Sequence, residues 1–181
     1  TRQWCNGSVQ FNHDNMTGAL LAAELVNAEA SNGPEARVGA ALELHGIRGR
    51  AALSTFVDGV LEWARLLRRV FEGQDARTRC DEVNALLALG ASKGVYLSTH
   101  DGLDPHLHFA PDSDDLLARV RAVTAGGLAI FLTESRGSRL GVCSRRGCEQ
   151  VFVDVGRNAT RRYYSTRCGN NDAVDRYRQR G

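Results

Sequence analysis

Lysine is almost absent from this 181-residue chain, where arginine outnumbers it 22 to 1. That imbalance reads as codon bias in a GC-rich genome and carries no functional message. Also missing is any run of 18 or more apolar residues, so no segment is expected to span a membrane. The opening "TRQWCNGSVQ" has neither an apolar stretch nor an initiator methionine. It reads as a trimmed N-terminus without a secretory signal, which points to the cytoplasm. A glycine-rich phosphate loop, an HExxH helix and a Ser-His-Asp pattern in recognisable context are all lacking. No enzymatic activity is therefore expected. The five cysteines are odd in number, and three cluster near the C-terminus. Such a set suits a metal site in a reducing compartment better than a disulfide framework.

What is present is a globular composition with uneven charge. Hydrophobic residues make up 43% of the chain, enough for a real core in one domain or one domain with a small appendage. Residues 1–135 carry 12 Lys or Arg against 17 acids, whereas residues 136–181 carry 11 arginines against Glu149, Asp154, Asp172 and Asp175. The net +2 therefore conceals a body of about −5 and a short module of about +7. A basic module behind an acidic body suggests a polyanionic partner, although a solvated tail has the same composition.

The body reads as mainly helical. "MTGALLAAELVNAEA" has helical spacing after Thr17, a fitting N-cap. "STFVDGVLEWARLLRRVFEG" gives the strongest period, with Phe56, Val57, Val60, Leu61, Trp63, Ala64, Leu67 and Val70 on one face and Gly73 as the stop. "ARTRCDEVNALLALG" forms a shorter helix closed by Gly90, with Cys80 as a buried thiol. The period then changes: "GVYLSTH" and "HLHFA" alternate around the turn signal "DGLDP", which reads as a β-hairpin. His106 and His108 share one face of its second strand, either as a ligand site or as a polar face opposite Leu107 and Phe109. Trp63 is a core residue first and a ligand platform second. A pocket near Trp63, His106 and His108 is the expected sensing site. "PDSDDLLARVRAVTAGGLAIFLTES" resumes the helix, capped by Pro111 with Asp112 or Ser113, and Gly126–Gly127 is a candidate break.

In the module, Cys143 and Cys148 form a Cys-x4-Cys pair beside the alternating run "QVFVDV", and Cys168 follows after 19 intervening residues at the start of a C-terminal helix. Two thiolates from a hairpin knuckle and a third from a helix N-terminus fit a treble-clef-like metal site, with the helix dipole favouring thiolate. Arg157, Arg161, Arg162 and Arg167 precede the helix, and Arg176, Arg178 and Arg180 lie on it. So small a module cannot bury that many guanidinium groups, so most should meet water or a partner. Asn170 and Asn171 cap the helix or reach a phosphate or adenine edge. Asp154 is expected to pair with an arginine inside the module.

These residues resemble a known family. The pattern from Cys143 and Cys148 through Phe152, Asp154, Asn158, Arg161 and Arg162 to Cys168, Gly169 and Asn170 resembles the CGNR-type zinc finger of bacterial proteins. That finger normally follows an N-terminal ABATE domain, described as a stress-induced transcription regulator. "FNHDNMTGALLAAELVNAEA", "LEWARLLRRV" and "PHLHFAP" are similar to that domain in actinobacterial members. The resemblance implies an α+β architecture: a mainly helical body with a β-hairpin over residues 1–138, and a zinc finger of hairpin and helix over 139–181. Two positions depart from the family. Tyr164 stands where the family has its third cysteine, and Asn171 where it has the arginine of the name motif.

Zinc on Cys143, Cys148 and Cys168 with water or a borrowed side chain, weak zinc, and a metal-free finger packed on Tyr163, Tyr164 and Phe152 all stay open. The leading reading is a transcription regulator. Its DNA contacts would come from Arg157, Arg161, Arg162, Arg167, Asn170, Asn171, Arg176 and Arg178, and its body would sense a small-molecule effector or assemble a homodimer. A protein-docking finger is the alternative. The body is expected to fold by itself, so a chain ending near Ser138 should stay soluble.

Overall fold

A computed structural model of the chain describes residues 13–47, 53–91, 94–98, 106–109 and 115–179. In chain order the elements are α1 (His13–Glu29), α2 (Pro34–Leu44), a 3-10 turn (Leu53–Thr55), α3 (Val57–Glu72), α4 (Ala76–Gly90), β1 (Tyr96–Ser98) and β2 (His106–His108). There follow α5 (Leu116–Glu134), β3 (Leu140–Val142), β4 (Val151–Val153) and α6 (Thr166–Arg178). The described residues are thus mainly helical, with two separate two-stranded antiparallel sheets, β1–β2 and β3–β4.

The strongest sequence period becomes the most regular element. On α3, Val60, Trp63, Ala64, Leu67, Val70 and Phe71 are buried, a stripe at three- and four-residue steps. It packs on α1, which is also covered by α2 and α5. α1 and α5 are buried over much of their circumference, and small residues let them approach closely. A Cβ on Gly127 would lie 2.5 Å from the Gly18 Cα, and a Cβ on Gly126 would overlap the Phe109 ring. Gly126 and Gly127 therefore do not break α5; they admit a helix and a ring. Gly18→Ala should cost about 3 kcal/mol in chemical denaturation, because its Cβ would meet backbone atoms that cannot turn aside. α5 is long and apolar enough to cross a membrane by length and composition, although it contains Arg119 and Arg121. Its contacts with α1 and α4 account for that apolarity.

Several local expectations shift. Thr17 lies inside α1, which already begins at His13. Asp115 caps α5, its carboxylate accepting from the Ala118 N–H at 2.9 Å. The expected caps Pro111, Asp112 and Ser113 lie outside the described residues, as do the "DGLDP" turn, Phe11 and Asn12 of the ABATE-like start, and Arg180. Cys80 is exposed rather than buried, since α4 buries only Val83 and Leu86. The hairpin is present, with His106 opposite Ser98 and His108 opposite Tyr96. Trp63 is only 2% exposed, and its indole N–H donates to the Thr124 hydroxyl at 2.9 Å. Its ring serves the core.

The β3–β4 sheet does not hang from the body. Leu140, Val151 and Val153 belong to the same buried cluster as α1, α3 and α5. Asn27 of α1 pairs with the backbone of Val151, its amide donating to the carbonyl at 3.0 Å and its oxygen accepting from the N–H at 2.7 Å. Arg79 donates to the carbonyls of Gly137 and Leu140. Partial burial there holds its guanidinium below the usual arginine range.

Candidate metal centre and nucleic-acid interface

The β3–β4 ladder continues one step past the strands, where the Cys143 N–H meets the Gln150 carbonyl at 2.8 Å. The chain then turns through Ser144–Gly147, and the Cys148 N–H closes the turn on the Arg145 carbonyl. At the other end, Ser165 caps α6 by accepting from the Cys168 N–H at 3.2 Å. Asn170 and Asn171, expected as caps, lie further along the helix. These two local structures bring the Sγ atoms of Cys143, Cys148 and Cys168 within 4.8 Å of one another. Cys148 and Cys168 stand 3.9 Å apart. Tetrahedral zinc with sulfur at about 2.3 Å has sulfur–sulfur edges of about 3.8 Å. The three thiols therefore fit a zinc ion, which would crosslink the knuckle to the helix. Among the described residues no further His, Cys, Asp or Glu completes the set.

The thiols are not equivalent. The Ser165 hydroxyl, and then hydrogen bonds from the neighbouring thiols, hold Cys168 below the ordinary thiol range against the opposing effect of burial. Cys148 is pushed up to about 11, first by burial and then by its neighbouring thiols. Of these two thiols, Cys168 is therefore the more readily ionised.

Between β4 and α6 the chain is organised by two charged residues. Asp154 is buried, and its carboxylate accepts from the backbone N–H of Gly156 at 2.9 Å and of Arg161 at 2.8 Å. It thus meets an arginine of the module, as expected, but through that residue's main chain. The Arg161 guanidinium lies 5.1 Å from the Phe152 ring centroid. It donates to the carbonyls of Val153, Tyr163 and Tyr164. Gly169 lies against the Tyr163 ring, whose hydroxyl donates to Asp172 at 2.8 Å. That bond to a carboxylate raises the Tyr163 phenol above its ordinary range.

This geometry redistributes the arginines. Arg161 ties β4 to the segment at Tyr163 and Tyr164, and Arg176 pairs with Asp172 at 3.0 Å. Arg157, Arg162, Arg167 and Arg178 have no ion-pair or side-chain hydrogen-bond partner among the described residues. Two arginines that sequence reasoning passed over join them: Arg145 and Arg146, inside the knuckle between two thiols. The dibasic step in "CSRRGC" was their signal. Arg162 sits beside them, because its carbonyl accepts from the Ser144 N–H at 2.8 Å. Arg167 adjoins Cys168. Four arginines without an ion-pair partner among the described residues thus adjoin the cysteines along the chain or across the Ser144–Arg162 backbone contact, Arg145 half-buried and Arg146, Arg162 and Arg167 exposed.

Residues 139–181 match the CGNR zinc finger family. The match begins just before β3 and runs through α6 to the end of the chain. No curated protein shows a significant match to the chain. The CGNR finger and its cysteine cluster together support metal binding, with zinc as the metal, and a zinc- or nucleic-acid-binding role. The finger also forms one wall of a groove of about 380 Å³, whose other walls are α1 and α2. Leu20, Glu24, Arg37, Leu44, Arg161 and Tyr164 are among its lining residues. A second groove between body and finger is lined by Glu29, Ser31, Arg68, Glu72, Val142, Cys148 and Glu149.

Proposed function

We propose that this chain is a transcription regulator that binds duplex DNA through its CGNR finger. The helical, ABATE-like body would sense a small-molecule effector or mediate assembly. The observation that carries the DNA half is the group of arginines beside the cysteines, Arg145, Arg146, Arg162 and Arg167, without ion-pair partners among the described residues on a module of about +7. Guanidinium forks on a rigid support suit phosphate oxygens, and the metal supplies the rigidity by joining knuckle to helix. The hairpin, knuckle and capped helix support a treble-clef-like description of the finger. The regulatory half rests on the body's resemblance to ABATE, and the groove shared by body and finger is a place where an effector could act on both.

If the four arginines neutralise about four phosphates, log K for any duplex should fall against log[salt] with a slope of about −4. Arg145→Ala with Arg146→Ala should reduce that slope by about 2 and weaken all sequences alike. The measurement is fluorescence anisotropy across a salt series. Absence of binding to any duplex at low salt would instead favour a finger that docks on protein.

A further inference from the structure

Resting on that reading, we infer that one face of α6 reads base edges in the major groove of duplex DNA. At 100° per residue, Arg167, Asn170, Asn171, Val174, Tyr177 and Arg178 fall within a sector of about 120°. No acid shares it. Asp172 and Asp175 lie on the side of Cys168, and Asp172 is engaged by Tyr163 and Arg176.

Most of the face is also uncovered: Arg167, Asn170, Val174, Tyr177 and Arg178 are exposed and Asn171 is half-buried. Cys168 is the one buried residue of α6 among those described, and no helix or strand packs extensively against it. Val174 is 47% exposed and Tyr177 81%. An apolar group and an aromatic are thus left in water beside two amides and two guanidinium groups.

That mixture fits base edges better than phosphates alone. Asparagine matches the N6 and N7 edge of adenine, arginine the O6 and N7 edge of guanine, and a valine methyl the methyl of thymine. A surface built only for phosphates needs neither asparagine nor valine. A single-strand platform needs a row of aromatics, and this face has one. With 13 residues, α6 is about 20 Å long, and a helix of this kind fits a major groove about 12 Å wide. The knuckle arginines at its N-terminal end would meet the flanking phosphates and fix its register.

The test is selection from a random duplex library by the full zinc-loaded chain at 150 mM salt. A short motif should emerge and bind at least about tenfold tighter than scrambled duplex. Asn170→Ala with Asn171→Ala should abolish that preference while changing affinity for scrambled duplex less than about twofold. Alanine is the best helix former, so α6 should persist, and zinc content with circular dichroism checks this. Val174→Ala, a second variant, should lower preference only at a thymine position. Duplex binding without any enriched motif, or a motif undiminished in the asparagine variant, overturns base reading and leaves DNA binding standing. Failure to bind any duplex at low salt, or preference for single strands, overturns the inference, and the former overturns the DNA reading with it.

Discussion

A chain ending at Ser138 should not yield a soluble protein that melts cooperatively, although charge and composition change just there. The cut removes Leu140, Val151 and Val153 from a core they share with α1 and α3. It also strands Asn27, whose amide has both its donor and its acceptor satisfied by Val151. Arg79 would lose at least the Leu140 carbonyl. The milder form of the experiment keeps the full chain. Asn27→Ala leaves the Val151 N–H and C=O without partners in a buried position, at a cost of about 3 kcal/mol. For a chain of this size the melting temperature should then drop by about 6–12 °C. Light scattering on the truncated chain and thermal melts of the variant measure both effects. A monodisperse, cooperatively melting fragment, with Asn27→Ala within a degree of the parent, would show the finger to be an appendage that the body does not need.

How far the fold was legible followed from how local its causes are. α3 could be read because its stripe of Val60, Trp63, Ala64, Leu67 and Val70 has one buried side and one wet side. α2 went unread. Its start signal is present, Gly33 at φ 95° followed by Pro34 in the first turn, but it buries only Val38, Ala41 and Leu42, too weak a period to stand out. Gly126 and Gly127 looked like a break because glycine disfavours helix in isolation. Their purpose lies on Gly18 and Phe109, far away in sequence. The site divides in the same way. Cysteine spacing and the helix start announced the thiol cluster, since metal geometry constrains both. The fates of Asp154 and Arg161 were not announced. One binds two backbone N–H groups and the other three carbonyls, and such bonds to main chain leave no mark in residue type. Arg145 and Arg146 were visible as residues but were counted as charge until the knuckle placed them between two thiols.

Removing the metal should release α6 and lower DNA affinity at least tenfold while the rest of the chain stays folded. The asymmetry follows from how each half of the finger is held. β3 and β4 are fixed by the body's core and by Asn27, so they do not depend on the cation. α6 buries Cys168 and otherwise relies on the Ser165 cap, the Tyr163–Asp172 hydrogen bond and the ring of Tyr163 against Gly169. A helix of 13 residues is marginal in water without tertiary support, so the crosslink from Cys143 and Cys148 to Cys168 decides its stability. Protein purified without chelator should carry about one zinc per chain. After chelation, amide protection should vanish across residues 166–178, and helical signal should fall by the share of those 13 residues. The main melting transition should persist. Cys168→Ser should reproduce all of this without chelator. Tyr164→Cys should act in the opposite direction, because a tyrosine phenol ionises near pH 10 and makes a poor ligand, whereas a fourth thiolate completes the tetrahedron and slows zinc release. Less than about a tenth of an equivalent of zinc, with α6 still protected, would overturn the metal-held finger. Packing among Phe152, Tyr163 and Tyr164 would then be what holds the helix.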